Sequence, residues 1–275
     1  MKLGLVAGGG PFPGRVAEAA ARAGHKIFVV CLKGFCDPAG FAAYPHAVER
    51  IGAGGAIIHL LRSESVTHVA LAGKVKRPSM LSLVPDAWMA KAMARVGVAI
   101  FSGDDALFRA VVQVLGDEGF EVVSPQSLLQ ESFSEPGLLS GPEPDTTARS
   151  DIARGIQVLQ SLAAMDIGQA VVVQQGMVLG IEAVEGTDAL LARAGELRRD
   201  GPGGVLVKLA KTGQEMRVDA PVVGPITVTE AAQAGLRGIA VEAGRTILTE
   251  RQAMLDAAHQ AGLFLIAVDP AKFGP

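Results

Sequence analysis

Cysteine and aromatic rings are scarce in this sequence: 275 residues include two Cys, one Trp, one Tyr and ten Phe. Cys31 and Cys36 are too few for a disulfide framework, and C-x4-C without a nearby His is a poor zinc pattern. Two unpaired thiols fit a reducing cytoplasm. The five His (His25, His46, His59, His68 and His259) lack metal-ligand spacing. The net charge is only -3 and no Lys/Arg block occurs, so a nucleic-acid partner is not expected. No window approaches ~18 uninterrupted apolar residues, which excludes a bilayer-crossing helix. The apolar start Met1–Ala7 runs straight into Gly8-Gly9-Gly10-Pro11, so it reads as a first strand rather than a signal segment. No G-x-S-x-G elbow is present, against an α/β-hydrolase.

Glycine and small aliphatics are plentiful. The chain has 34 Gly, is 49% hydrophobic and 19% charged, enough for a substantial core over two domains or one large α/β domain. Residues 1–131 alternate strand and helix patterns. Strands are expected at Leu3–Ala7, Lys26–Leu32, His68–Ala72, Ala99–Phe101 and Phe120–Val123. Helices are expected at Gly14–Ala23, Gly55–Arg62, Pro85–Val96 and Asp104–Leu115. That alternation predicts right-handed crossovers and a Rossmann-like parallel sheet.

Residues 132–150 (SFSEPGLLSGPEPDTTARS) carry Pro136, Pro142 and Pro144 and no apolar period, the composition of a linker. Residues 151–275 then begin with a helix at Asp151–Ala164. Ala170–Val173 and Met177–Ala183, joined by a short Gly-containing turn, predict a hairpin. A helix at Thr187–Arg199, capped by Thr187 or Asp188, follows. Strands at Val205–Ala210, Glu215–Ala220, Gly238–Val241 and Leu263–Val268 complete the pattern with helices at Val228–Gly235 and Glu250–Gly262. The mixture predicts an α+β domain rather than a second Rossmann copy.

Five segments carry chemistry. Gly8-Gly9-Gly10-Pro11 opens the first helix and suits an anion there, although Pro13 replaces the third Gly of G-x-G-x-x-G. The second strand ends in Cys31-Leu32-Lys33 with no acid for a ribose, which counts against a nicotinamide cofactor. A tight turn without ligand explains the same glycines. Lys74, Lys76 and Arg77 follow the third strand at the edge where open sheets bind ligands; a solvated basic loop is the plain alternative. Asp104 and Asp105 could meet Mg²⁺, but first-turn acids also complement a helix dipole unaided. Thr187 and Asp188 start a helix where Glu182–Asp188 leaves the hairpin, suiting a phosphate or simple capping. In KLAKTGQEMRVD, a strand would set Arg217 and Asp219 on one face, with Lys208 and Lys211 upstream across Thr212-Gly213. That set could grip a diphosphate beside one carboxylate, or form an ordinary surface salt bridge.

Taken together, LGLVAGGGPFP, AGKVKRP, SGDDAL, DIGQAVVV, EAVEGTDALL, QEMRVDAPVVGP and GIAVEAG resemble the LpxI-type UDP-2,3-diacylglucosamine pyrophosphatases of lipid A synthesis, in the family's order over almost the whole chain. The resemblance implies Mg²⁺-dependent hydrolysis of a nucleotide glycolipid to UMP and 2,3-diacylglucosamine 1-phosphate (lipid X). It implies a substrate gripped between an N-terminal Rossmann-like domain and a C-terminal domain. The essential carboxylate of the family's Arg-Val/Phe-Asp segment falls here on Asp219, as a general base or as a holder of Mg²⁺. Substrate contacts are then expected at Gly9, Gly10, Pro11, Lys74, Arg77, Gln169, Thr187, Asp188, Lys208, Lys211, Gln214 and Arg217, with metal ligands unassigned. Lys74 and Lys76 depart from the Asn and Ser common in the family, which bears on phosphate contacts. A cytoplasmic protein is expected, with peripheral contact at the inner membrane and a homodimer as further expectations. The competing classes are a nicotinamide-dependent oxidoreductase and a non-catalytic nucleotide- or lipid-binding protein.

Overall fold

The computed structural model describes residues 1–76, 83–96, 104–129 and 133–273. The strand expected at Ala99–Phe101 and the site residue Arg77 lie outside them. The chain forms two compact units, Met1–Gln130 with Glu215–Asp219, and Glu131–Gln214 with Ala220–Pro275.

The first unit runs β1 (Lys2–Ala7), α1 (Phe12–Arg22), β2 (Lys26–Leu32), β3 (His46–Glu49), α2 (Gly54–Ser63), β4 (His68–Ala72), α3 (Ala87–Val96), α4 (Asp104–Asp117), β5 (Glu121–Val122) and α5 (Pro125–Leu128). Its five strands pair in the order β3-β2-β1-β4-β5, all parallel. β2 is buried along nearly its whole length, as a strand covered on both faces must be. Leu3, Leu5 and Ala7 meet Val16, Ala17 and Ala20 of α1, whose apolar positions recur at helical spacing. On the other face Phe28, Val30 and Val69 pack with Ile58 and Leu61 of α2 and Val112 and Leu115 of α4. β3 was not expected. Its four residues, HAVE, alternate exposed and half-buried, and so lack the apolar run that betrays a central strand.

The second unit contains β6 (Gly137–Ser140), α6 (Thr146–Ala163), β7 (Ala170–Gln174), β8 (Met177–Ile181), α7 (Thr187–Glu196), β9 (Val205–Lys208), β10 (Val222–Val223), α8 (Pro225–Gln233), β11 (Gly238–Glu242), β12 (Ile247–Leu248), α9 (Arg251–Gln260) and β13 (Phe264–Val268). Six strands form a mixed sheet in the order β6-β13-β11-β9-β7-β8. β9, β11 and β13 are parallel, while β6, β7 and β8 pair antiparallel with their neighbours. Alternate residues feed two cores. Ala170, Val172, Leu206, Ile239 and Leu265 join α7, α8 and α9, whereas Val171, Val173, Val207 and Ile266 join α6.

The stretch 132–150, expected as a linker, holds β6 and the first turn of α6. β6 pairs with the final strand, a partner too remote in sequence for local composition to announce. α6 starts before Asp151 because Asp145 caps it, accepting from the Ala148 amide at 2.7 Å.

The β7–β8 turn is Gln175-Gly176, both at positive φ (51° and 77°), the primed geometry that matches strand twist. Asp151, fully buried on α6, accepts from both turn amides, Gln175 at 3.0 Å and Gly176 at 2.7 Å. Among the described residues no helix is long and apolar enough to cross a membrane.

Truncating Asp151 removes the acceptor of both turn amides and leaves the largely buried Arg237 without this carboxylate. Asp151→Ala should lose about 3 kcal/mol of stability in urea unfolding, with Asp151→Asn losing less.

Candidate active site

The order of the first sheet reverses between β1 and β4, the crevice where open α/β folds seat ligands. Here the loops after those strands are laced together. The Gly8 amide donates to Ala72 O at 2.7 Å, and Gly9 and Lys74 exchange two backbone bonds of 2.8 and 2.9 Å. Two amides that the glycine turn was expected to offer an anion are therefore engaged within the fold. Close approach explains the small residues: a Cβ on Gly73, at φ 98°, would stand 2.7 Å from Pro13 Cγ and 2.8 Å from Gly9 O. Pro13, where a third Gly was missing, is packed against that turn. Gly10 takes φ 89°, Pro11 caps α1, and the Lys74 side chain is exposed.

A dense polar cluster lies in the second unit, at the carboxyl ends of β9 and β11. Lys208 ends β9 and Glu242 ends β11, and both side chains are buried. Lys208 Nζ donates to Thr187 Oγ1 at 2.9 Å, and Thr187 Oγ1 donates to Glu182 Oε1 at 2.7 Å. Glu182 Oε2 accepts from the Gln169 amide at 2.9 Å. Gly168 permits this approach, since a Cβ there would lie 2.0 Å from Glu182 O. Lys211 pairs with Asp166. Gln214 accepts from the Lys211 amide at 2.9 Å and donates to Gln169 Oε1 at 3.3 Å. Glu242 accepts from the Ala210 amide at 2.8 Å, and Arg245 donates to Lys211 O at 3.3 Å. The loop carrying Lys211 and Gln214 is thus tied to both neighbouring strands.

Five expected site residues, Gln169, Thr187, Lys208, Lys211 and Gln214, are gathered here. Asp188 is exposed in the first turn of α7 and stands outside the network. The cap of α7 is Gly186 rather than Thr187 or Asp188, because the Thr187 hydroxyl is committed to Glu182 and Lys208. Glu182 and Glu242 were not singled out as site residues. The available signal was an acid just after or closing an apolar strand, GI-E and GIAV-E, inside the motifs EAVEGTDALL and GIAVEAG.

Arg217 and Asp219 belong to the first unit, and the strand expected at Glu215–Ala220 is not there. Residues 215–219 make a turn in which the Val218 and Asp219 amides both donate to Glu215 O, at 3.1 and 3.0 Å. The alternation of Met216, Val218 and Ala220 mimicked a strand. Val218 instead packs on the core formed by α2 and α4. Arg217 does not share a strand face with Asp219. It grips Glu215 through Nε and Nη2, at 2.8 and 2.7 Å. That hydrogen bond, with the charge of Arg217 and a smaller contribution from Arg109, holds the Glu215 carboxyl below its ordinary range. Asp219 is half-buried. Arg109 also lines a cavity of about 400 Å³ between α3 and α4, with Arg95, Gln113 and Asp117.

A carboxyl with a depressed folded pKa adds stability above its unfolded value and loses it as pH falls through the folded value. Arg217→Met should therefore destabilise by no more than about 1 kcal/mol at neutral pH, with the difference vanishing in acid. Parallel urea titrations of both proteins across the acidic range check this.

Known protein families match both halves of the chain. The LpxI N-terminal domain profile matches residues 2–132 and the LpxI C-terminal domain profile matches residues 135–266. A relative from Caulobacter vibrioides, UDP-2,3-diacylglucosamine pyrophosphatase LpxI, is 41% identical over 277 residues, covering 98% of this chain and 99% of the relative. Among solved structures, CobK precorrin-6A reductase aligns over 98% of this chain and 88% of its own, but a TM-score of 0.32 at 16% identity is too weak to bear on fold or function. With both halves matched in order and a near full-length relative, the chain belongs to the LpxI family.

Proposed function

We propose that the protein hydrolyses the diphosphate of UDP-2,3-diacylglucosamine, giving UMP and 2,3-diacylglucosamine 1-phosphate, in lipid A biosynthesis. The carrying observation is 41% identity over 98% of the chain to a relative bearing that activity in its name. The reading draws substrate contacts from both units and puts the reaction in the cytoplasm, at the inner face of the inner membrane.

The residues suit the chemistry. Hydrolysis adds water oxygen to one phosphorus and breaks its bond to the bridging oxygen, so negative charge grows on phosphoryl and leaving oxygens. Lys208 and Lys211, fixed by Thr187, Asp166 and the loop ties, are preorganised cations for that charge. Attack at the phosphorus nearer the sugar makes UMP the leaving group. Asp219, half-buried in its turn, is assigned to direct the water, either by taking its proton or by holding a metal.

The family implies Mg²⁺, and the donor set fits an ion that arrives with its substrate. Among the described residues no group of three or more His, Cys, Asp or Glu forms a cage, whereas Mg²⁺ at phosphates needs only one or two carboxylates. Asp219 and the diphosphate oxygens would hold it. When bound, it would neutralise phosphate charge and acidify water.

Asp219→Ala should release UMP at least about 10²-fold more slowly while unfolding at the wild-type temperature. Chelation of the wild type should abolish turnover, and added Mg²⁺ should restore it. Wild-type rates in Asp219→Ala would remove that residue from the reaction.

A further inference from the structure

Lys208 ends β9 with its side chain inside the second unit, beside the start of α7. A helix N-terminus carries partial positive charge and disfavours a cation, so this ammonium is not placed for the sake of the helix. It is held by a chain of two bonds whose directions chemistry fixes. The Glu182 carboxylate can only accept, so the single Thr187 hydroxyl proton points to Glu182 Oε1 at 2.7 Å. The Thr187 oxygen is then left to accept from Lys208 Nζ, at 2.9 Å. Glu182 is itself clamped through its second oxygen by the Gln169 amide at 2.9 Å, so the acid cannot swing away. One fixed negative charge thus orients one fixed positive charge through a neutral hydroxyl.

We propose that Glu182 and Thr187 are positioning residues: they aim the Lys208 ammonium at the diphosphate of the substrate, and neither touches the substrate. This rests on the diphosphatase reading above. It reassigns Thr187 from substrate ligand to holder of a ligand, and it gives a role to Glu182, the first residue of EAVEGTDALL, which the sequence had not singled out as a site residue. Lys208 makes the contact with the developing phosphoryl charge, and its direction is set from behind.

The test is a cycle of substitutions in the full chain, read as kcat and KM for UMP release from UDP-2,3-diacylglucosamine. Thr187→Val keeps the shape and removes the hydroxyl; kcat should fall about 10- to 100-fold with KM changed less than about 3-fold. Thr187→Ser, which restores the hydroxyl, should return kcat to within about 3-fold of wild type. In a Lys208→Met background, Thr187→Val should add less than about 2-fold, because its target is gone. Glu182→Gln should behave as Thr187→Val does, and it replaces that variant in the cycle if Thr187→Val fails to fold by circular dichroism. Full, multiplicative losses in the Lys208→Met background would mean direct substrate contact and would overturn the inference while leaving the diphosphatase reading intact. Absence of UMP release by the wild type would overturn both.

Discussion

A charge taken out of water must find a partner, at a penalty of roughly several kcal/mol per ion otherwise. In the second unit this constraint falls on Lys208, Glu182 and Glu242, all buried at one edge of the sheet. Their partners are drawn from four separate segments: Gln169 before β7, Thr187 at the start of α7, Ala210 after β9 and Arg245 after β11. Satisfying three buried ions fixes the positions of four loops. A site for a highly charged diphosphate needs that rigidity, because cations free to follow the ground state would gain nothing at the transition state.

The first unit meets a different constraint. Its parallel sheet has the strand order of a dinucleotide-binding fold, yet the glycine loop after β1 is bonded to the loop after β4. Gly8, Gly9 and Gly73 are needed because backbone lies against backbone there, with no room for Cβ atoms. A strand order shared with nicotinamide enzymes therefore comes without their open glycine turn, and with Lys33 rather than an acid directly after β2. Function follows the site and not the strand order. The same unit gains Glu215–Asp219 from the second half of the sequence, which brings the expected essential carboxylate into its company.

How much of this could be read in the sequence depends on where each determinant lies. β1, β2 and β4 announce themselves because their apolar runs are local, as does the hairpin with its Gly176 turn. Lys208, Lys211 and Gln214 stood out as candidates through the company of their motif, and the structure gathers them with Gln169 and Thr187. β6 was missed because its partner β13 lies at the far end of the chain. The turn at 215–219 was misread because Val218 alternates like a strand residue while burying itself singly in a core from another part of the sequence. Glu182 and Glu242 were passed over for the same reason: burial makes an acid significant, and burial is set by tertiary neighbours.

The central claim is that a fixed ammonium at the end of β9 receives the diphosphate. The most direct measurement is calorimetric affinity for UDP-2,3-diacylglucosamine in a protein unable to turn it over, comparing Asp219→Ala with Asp219→Ala/Lys208→Met. The account predicts binding at least about 10-fold weaker in the double variant, since one charge-assisted contact to phosphate is lost. Equal affinity in the two proteins would contradict it.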